Sequence, residues 1–193
     1  MRPKRNLVRV LTMILACACA LVICGASGAV PRLLVVSFLD IGQGDAILLQ
    51  LPDGSDILVD GGKPGASAQV VEYLHALGVQ HIALLVLTHG HEDHIGGLLS
   101  VVEEFPIAEV WLNGKDCSTR ICQMFFAALE ANDVPTRIVH SGEAYSWGRI
   151  EVLVLNPTLP LYANDNNNSI TMRVTYGSVD ILLTGDIESG AEG

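Results

Sequence analysis

THGHEDHIGG, residues 88–97, directly follows the apolar run IALLVL at residues 82–87, and its reading decides the fold. Within six residues it places His89, His91, Asp93 and His94, all potential metal ligands. The preceding run is short and rich in leucine and β-branched residues, and it reads as a buried strand. At a strand end, residues two apart point the same way, so His89 and His91 can face one ion together. The chain must then turn, because residues 94–104 have helical apolar spacing with glycines near their start. That turn brings Asp93 and His94 to the same pocket, where they can hold a second ion. Imidazole nitrogen and carboxylate oxygen suit zinc first and manganese second, and an incomplete protein shell leaves room for an activated water. A charged, histidine-rich loop can also be merely solvated. The clustering after a buried strand argues for metal, whereas the isolated His75, His81 and His140 read as filler.

The flanking segments extend this to a mixed α/β pattern. Strands are expected over residues 33–39, 46–51, 57–60, 107–112, 135–139, 149–155, 169–176 and 179–184, and helices over 66–77 and 118–132. Residues 40–45, DIGQGD, form a glycine-containing turn that either approaches the pocket or only joins two strands. Asp60 ends a strand before two glycines, where its carboxylate can brace a ligating imidazole or simply cap a turn. Residues 161–168, LYANDNNN, are turn-prone, and Asn168 and Ser169 either line the site or belong to an ordinary loop. Asp186 follows an apolar strand and a glycine, and with the upstream cluster it reads as a further ligand.

Taken together, FLDIGQGDAILL (38–49), ILVDGG (57–62), LTHGHEDHIGG (87–97), NNNS (166–169) and LLTGD (182–186) carry a family resemblance. The HxHxDH element resembles the signature of the metallo-β-lactamase fold. The whole set, over about residues 33–188, resembles the extracytoplasmic hydrolase domain of ComEC-type DNA-uptake competence proteins. The resemblance implies an αββα sandwich and two divalent ions, with Asp186 bridging them and Asp93 serving as the catalytic carboxylate. It also implies phosphodiester cleavage, with DNA as a possible substrate during uptake. Relatives of this kind continue to an HHGS-like element that supplies a last histidine, yet no histidine follows His140 here. The expectation is therefore a domain over residues 31–193 with its C-terminal part incomplete, either a fragment or a natural truncation. Asn166–Ser169 stands where many metallo-β-lactamases carry another metal-binding histidine, which argues against the ordinary β-lactamase subset.

The first 30 residues differ from the rest. A basic start (Arg2, Lys4, Arg5, Arg9) precedes the apolar VLTMILACACALVIC and the small-residue run GASGAV. This is the pattern of an export signal, long enough to span a bilayer if retained, and Cys17 offers a lipid-attachment alternative. Export with membrane association is the expectation. Of the five cysteines, Cys117 and Cys122 lie outside this leader, and they form either a disulfide or two buried thiols. Beyond residue 30 the chain carries 7 basic and 21 acidic residues, a net of −14. That weighs against a broad electrostatic grip on nucleic acid, although a metal site can still hold one phosphodiester. Three functions follow: a metal-dependent hydrolase of phosphodiesters, a tethered assembly module with impaired catalysis, or a hydrolase of another ester-type substrate.

Overall fold

A computed structural model describes residues 33–191, so the leader with its export, anchor and lipidation readings lies outside the described residues. One sheet runs in the order β1 (Val35–Phe38), β2 (Ile47–Gln50), β3 (Asp56–Val59), β4 (Leu84–Val86), β5 (Val110–Leu112), β6 (Thr136–Ile138). Its first three strands are antiparallel, and β3 through β6 are parallel. The parallel strands are joined through α1 (Ser67–Ala76), the short α2 (Glu92–Ile95) with α3 (Leu98–Glu104), and α4 (Arg120–Ala131). A second, antiparallel sheet contains β7 (Ala144–Trp147), β8 (Ile150–Asn156), β9 (Thr171–Tyr176) and β10 (Val179–Leu183), in the order β10-β9-β8-β7.

The unbroken apolar runs of the first sheet follow from burial on both faces. Leu48, Leu58, Leu85 and Val110 turn toward the helices, where Val70, Leu74, Leu98, Val101, Phe125 and Leu129 complete one core. Their neighbours Ile47, Leu49, Ile57, Val59, Leu84, Val86 and Trp111 turn the other way. There they meet Ile150, Val152, Val154, Met172, Val174 and Leu183 of the second sheet. β8 instead alternates buried and exposed positions along its length, as a strand with one solvated face does. The expected mixed α/β fold with two sheets is present as helix, sheet and sheet layers. Among the described residues no helix covers the outer face of the second sheet, where Leu155, Val179 and Leu182 are exposed.

Two local expectations change. The single helix expected over residues 94–104 is two helices, broken at Gly96-Gly97. Side chains there would collide with Pro64 and with the Gly61 carbonyl, so the segment after β3 closes directly onto this break. Residues 144–147, which lie outside the expected strands, form β7. Its Tyr145 and Trp147 pack on Trp111, at ring-centroid distances of 4.4 and 5.8 Å. Among the described residues no helix is long and apolar enough to cross a membrane.

Candidate metal centre

The site forms where β3 and β4 end side by side in a parallel pair. Asp60 follows β3 with φ 58°, a left-handed conformation that aspartate tolerates better than most residues. Its fully buried carboxylate accepts the Thr88 backbone N–H at 2.8 Å and the Thr88 hydroxyl at 2.7 Å. The same carboxylate accepts His94 Nδ1–H at 2.7 Å. Because the Thr88 hydroxyl donates to Asp60, it is left to accept from His89 Nδ1, 3.1 Å away. Ser169 Oγ lies 3.3 Å from the same nitrogen and accepts the Asp186 backbone N–H at 3.2 Å. Asp60 thus holds a proton on His94 Nδ1, His89 Nδ1 sits between two hydroxyls, and both rings turn Nε2 to the site.

Those two Nε2 atoms are buried and lack a hydrogen-bond partner. The His89 and His94 rings are 4.2 Å apart, and His94 Nε2 lies 3.3 Å from Asp186 Oδ1. Ligand atoms of His89, His94 and Asp186 all fall within 4.8 Å of one another. Buried imidazole nitrogens that make no hydrogen bond, beside a half-exposed carboxylate, form a donor set that fits a divalent cation. Asp45, Asp60 and His94 form a second such group. Asp60, however, is already committed to the Nδ1 side of His94 and to Thr88, which makes it a brace for His94.

Charge follows the same pattern. Burial, then the neighbouring His94, lowers the pKa of His89 to about 4. Burial acts on His94 as well, but the Asp60 hydrogen bond and charge, with Asp186 and Asp93, outweigh it and raise its pKa to about 9. The field that holds a proton on His94 is the field that would hold a metal cation. Asp45 is raised by burial and by Asp60 beside it.

Of the residues singled out in sequence, His89, His94 and Asp186 come together, Asp60 braces His94, and Ser169 touches His89. His91 stands at the rim, its ring 4.6 Å from that of His89 and its Nε2 3.9 Å from Asp165. Asp93 is half-buried in α2 and accepts a hydrogen bond from Gln43 at 3.3 Å. Burial opposes its charge, but its own backbone N–H, His94 and Gln43 hold its carboxyl below the usual range. His94, expected to share an ion with Asp93, has its ring centroid 4.2 Å from that of His89 and groups with His89 and Asp186. Asn168 does not line the site. Its amide accepts from Tyr162 N–H and donates to the Tyr162 and Asn164 carbonyls, tying its loop together. Asp45, Gln43 and Thr88 were missed as site residues. For the first two, the signal was the DIGQGD turn, which the structure puts against α2.

The chain belongs to the metallo-β-lactamase superfamily, whose family description matches residues 39–192. It is 25% identical over 174 residues to ComE operon protein 3 of Bacillus subtilis (strain 168), a match covering 81% of this chain and 22% of that protein. It is 25% identical over 158 residues to competence protein ComA of Neisseria gonorrhoeae, covering 81% of this chain and 20% of the relative. The chain thus spans about a fifth of the length of these curated relatives. A solved metallo-β-lactamase of Cronobacter sakazakii with a HARLDQ motif shares the fold, with a TM-score of 0.54 and 18% identity. That match covers 80% of this chain and 61% of the other.

Proposed function

We propose that this chain is a metal-dependent hydrolase of phosphodiesters, with DNA during uptake as the natural substrate. One observation carries the catalytic half: two buried imidazoles, each held through Nδ1, present Nε2 atoms that make no hydrogen bond, that of His94 facing Asp186. The substrate half draws on the competence relative's name and on the sequence resemblance. His89, His94 and Asp186 would hold metal, with His91 and Asp93 at the rim completing two sites for zinc or manganese. When bound, such ions make water a nucleophile near neutral pH and stabilise charge on a phosphoryl oxygen.

The chain's own residues do the positioning. Asp60 keeps the His94 proton on Nδ1, and Thr88 and Ser169 hold His89 through its Nδ1, so neither ring can turn its Nε2 away. Asp93, kept ionised and steadied by Gln43, stands where water and substrate arrive and orients the water. Beside His91 a groove of about 140 Å³, lined in part by Lys115 and Asn113, offers room for one phosphodiester unit. Residues 1–30 support an exported, membrane-associated location.

The test is elemental analysis of the purified chain, followed by assays on a chromogenic phosphodiester, on DNA, and on thioester and β-lactam substrates. Bound metal with phosphodiester cleavage that falls at least a hundredfold in His94→Ala is the expected result. Metal-dependent cleavage of only the thioester or β-lactam would overturn the substrate assignment, and absence of metal would overturn the hydrolase reading.

A further inference from the structure

We propose that the Cys117–Cys122 disulfide is a reducible clamp on the metal-binding turn, fixing Gly90 and through it the placement of His89 and His91. The inference rests on the metal-centre reading. Gly90 is the residue between the two histidines, and its carbonyl oxygen lies 3.5 Å from Cys117 Sγ and 3.7 Å from Cys122 Sγ. A Cβ added at Gly90 would stand 2.7 Å from Cys117 Sγ and 3.7 Å from Cys122 Sγ, so the turn and the bridge touch with no room for a methyl group. The bridge joins the segment after β5 to the first turn of α4, whose N-cap Thr119 accepts the Cys122 backbone N–H. Cys122 is buried in the core beneath the site, which gives the clamp a rigid base.

The bridged residues are only five apart in sequence. A loop that short gives little restriction of the unfolded chain compared with a long one. Placement behind Gly90 is therefore the stronger reason for the bridge. Cys117 is partly exposed and borders the groove beside His91, so a reductant can reach it. Reduction by a dithiol proceeds when its thiolate attacks Cys117 Sγ, forming a mixed disulfide and releasing Cys122 as a thiolate that takes up a proton. The second thiol of the reagent then displaces Cys117 as a thiol. The protein has gained two electrons and two protons, and the dithiol leaves as its cyclic disulfide. The two sulfurs must then separate to non-bonded distance, and Gly90 occupies the space against them.

The experiment measures Zn²⁺ affinity by competition with a chromophoric chelator, and the absorption spectrum of the Co²⁺-loaded chain. The samples are oxidised wild type, wild type reduced and freed of reagent under anaerobic conditions, Cys117→Ala/Cys122→Ala, Gly90→Ala, and the triple variant. Reduced wild type and the double alanine variant are expected to bind at least tenfold more weakly with an altered Co²⁺ spectrum, and reoxidation restores the wild type. Gly90→Ala weakens binding in the bridged chain but costs less in the double-alanine background, where the sulfurs are gone. Equal affinity and spectrum in the oxidised and reduced wild type would overturn the clamp, whatever the alanine variants do. If oxidised wild type binds no metal, the metal-centre reading itself fails and takes the clamp with it. Metal bound by oxidised wild type with no redox effect removes the clamp alone.

Discussion

Asp60 receives three hydrogen bonds on one buried carboxylate, and two of its donors belong to Thr88, the residue next to His89. One side chain thereby sets the orientation of both histidines. Asp60→Asn keeps the shape but turns an N–H₂ toward at least one of those donors and removes the charge facing His94. A second-layer partner of this kind contributes roughly 10- to 100-fold in metal affinity. Loss of a buried acceptor costs on the order of 2 kcal/mol of stability. Zn²⁺ competition and urea denaturation of Asp60→Asn should show losses of that size, and wild-type affinity would remove Asp60 from the site. The two histidines also set a pH profile for the metal-free chain. His94, raised from 6.5 to about 9, contributes stability that is fully present below pH 6.5 and is lost as pH rises toward 9. His89, lowered from 6.5 to about 4, works in the opposite sense. Below pH 6.5 the unfolded chain takes up a proton that the folded one does not, so stability falls as pH drops toward 4. Tm of the chelator-treated chain should therefore peak near pH 6.5 and fall on both sides, and His94→Gln should remove the alkaline decline.

At the scale of elements, the DIGQGD turn closes over the short helix that carries Asp93 and His94. Gly44 adopts φ +94°, and a side chain there would collide with the Asp93 carbonyl. Gly44→Ala combines left-handed strain of about 1–2 kcal/mol with an overpacking cost of about 1–3 kcal/mol. It should lower Tm by several degrees and weaken metal binding, because the turn cannot lift away without moving Asp93. An unchanged Tm would show that the turn is a free hairpin. This turn also marks the limit of what could be read from sequence. The strand before the histidines was legible because burial there goes with a local pattern, and the strand ahead of Asp186 from its apolar run alone, although Val179 and Leu182 are exposed. Asp45 was not, because its approach to Asp60 and His94 depends on how β1 and β2 pair with β3, a tertiary fact. β7 escaped because only Tyr145 and Trp147 face inward and the strand lies at a sheet edge. The break at Gly96-Gly97 escaped because apolar spacing continues through it, while the cause is a neighbouring segment distant in sequence. The sequence left Asn168 open between lining the site and serving its loop, since only the folded loop shows its amide consumed by Tyr162 and Asn164.

At the scale of the molecule, residues 31–193 carry a net charge of −14, which separates two ways of handling DNA. A protein that grips the backbone with 6–10 cationic contacts loses about 10³–10⁵ in affinity between 50 and 200 mM salt. A single metal-anchored phosphodiester releases the counterions of about one or two phosphates, so the same change in salt should weaken binding by roughly tenfold or less. The acidic surface adds a repulsion that salt screens, which flattens the dependence further. Under the phosphodiesterase reading, this chain should cleave short oligonucleotides about as efficiently per bond as long duplexes. Its KM on both should vary only weakly with salt, and chelation should abolish cleavage on either substrate. A steep loss of affinity with salt would place the substrate on a cationic surface beyond the metal centre and require a different account of how DNA is held.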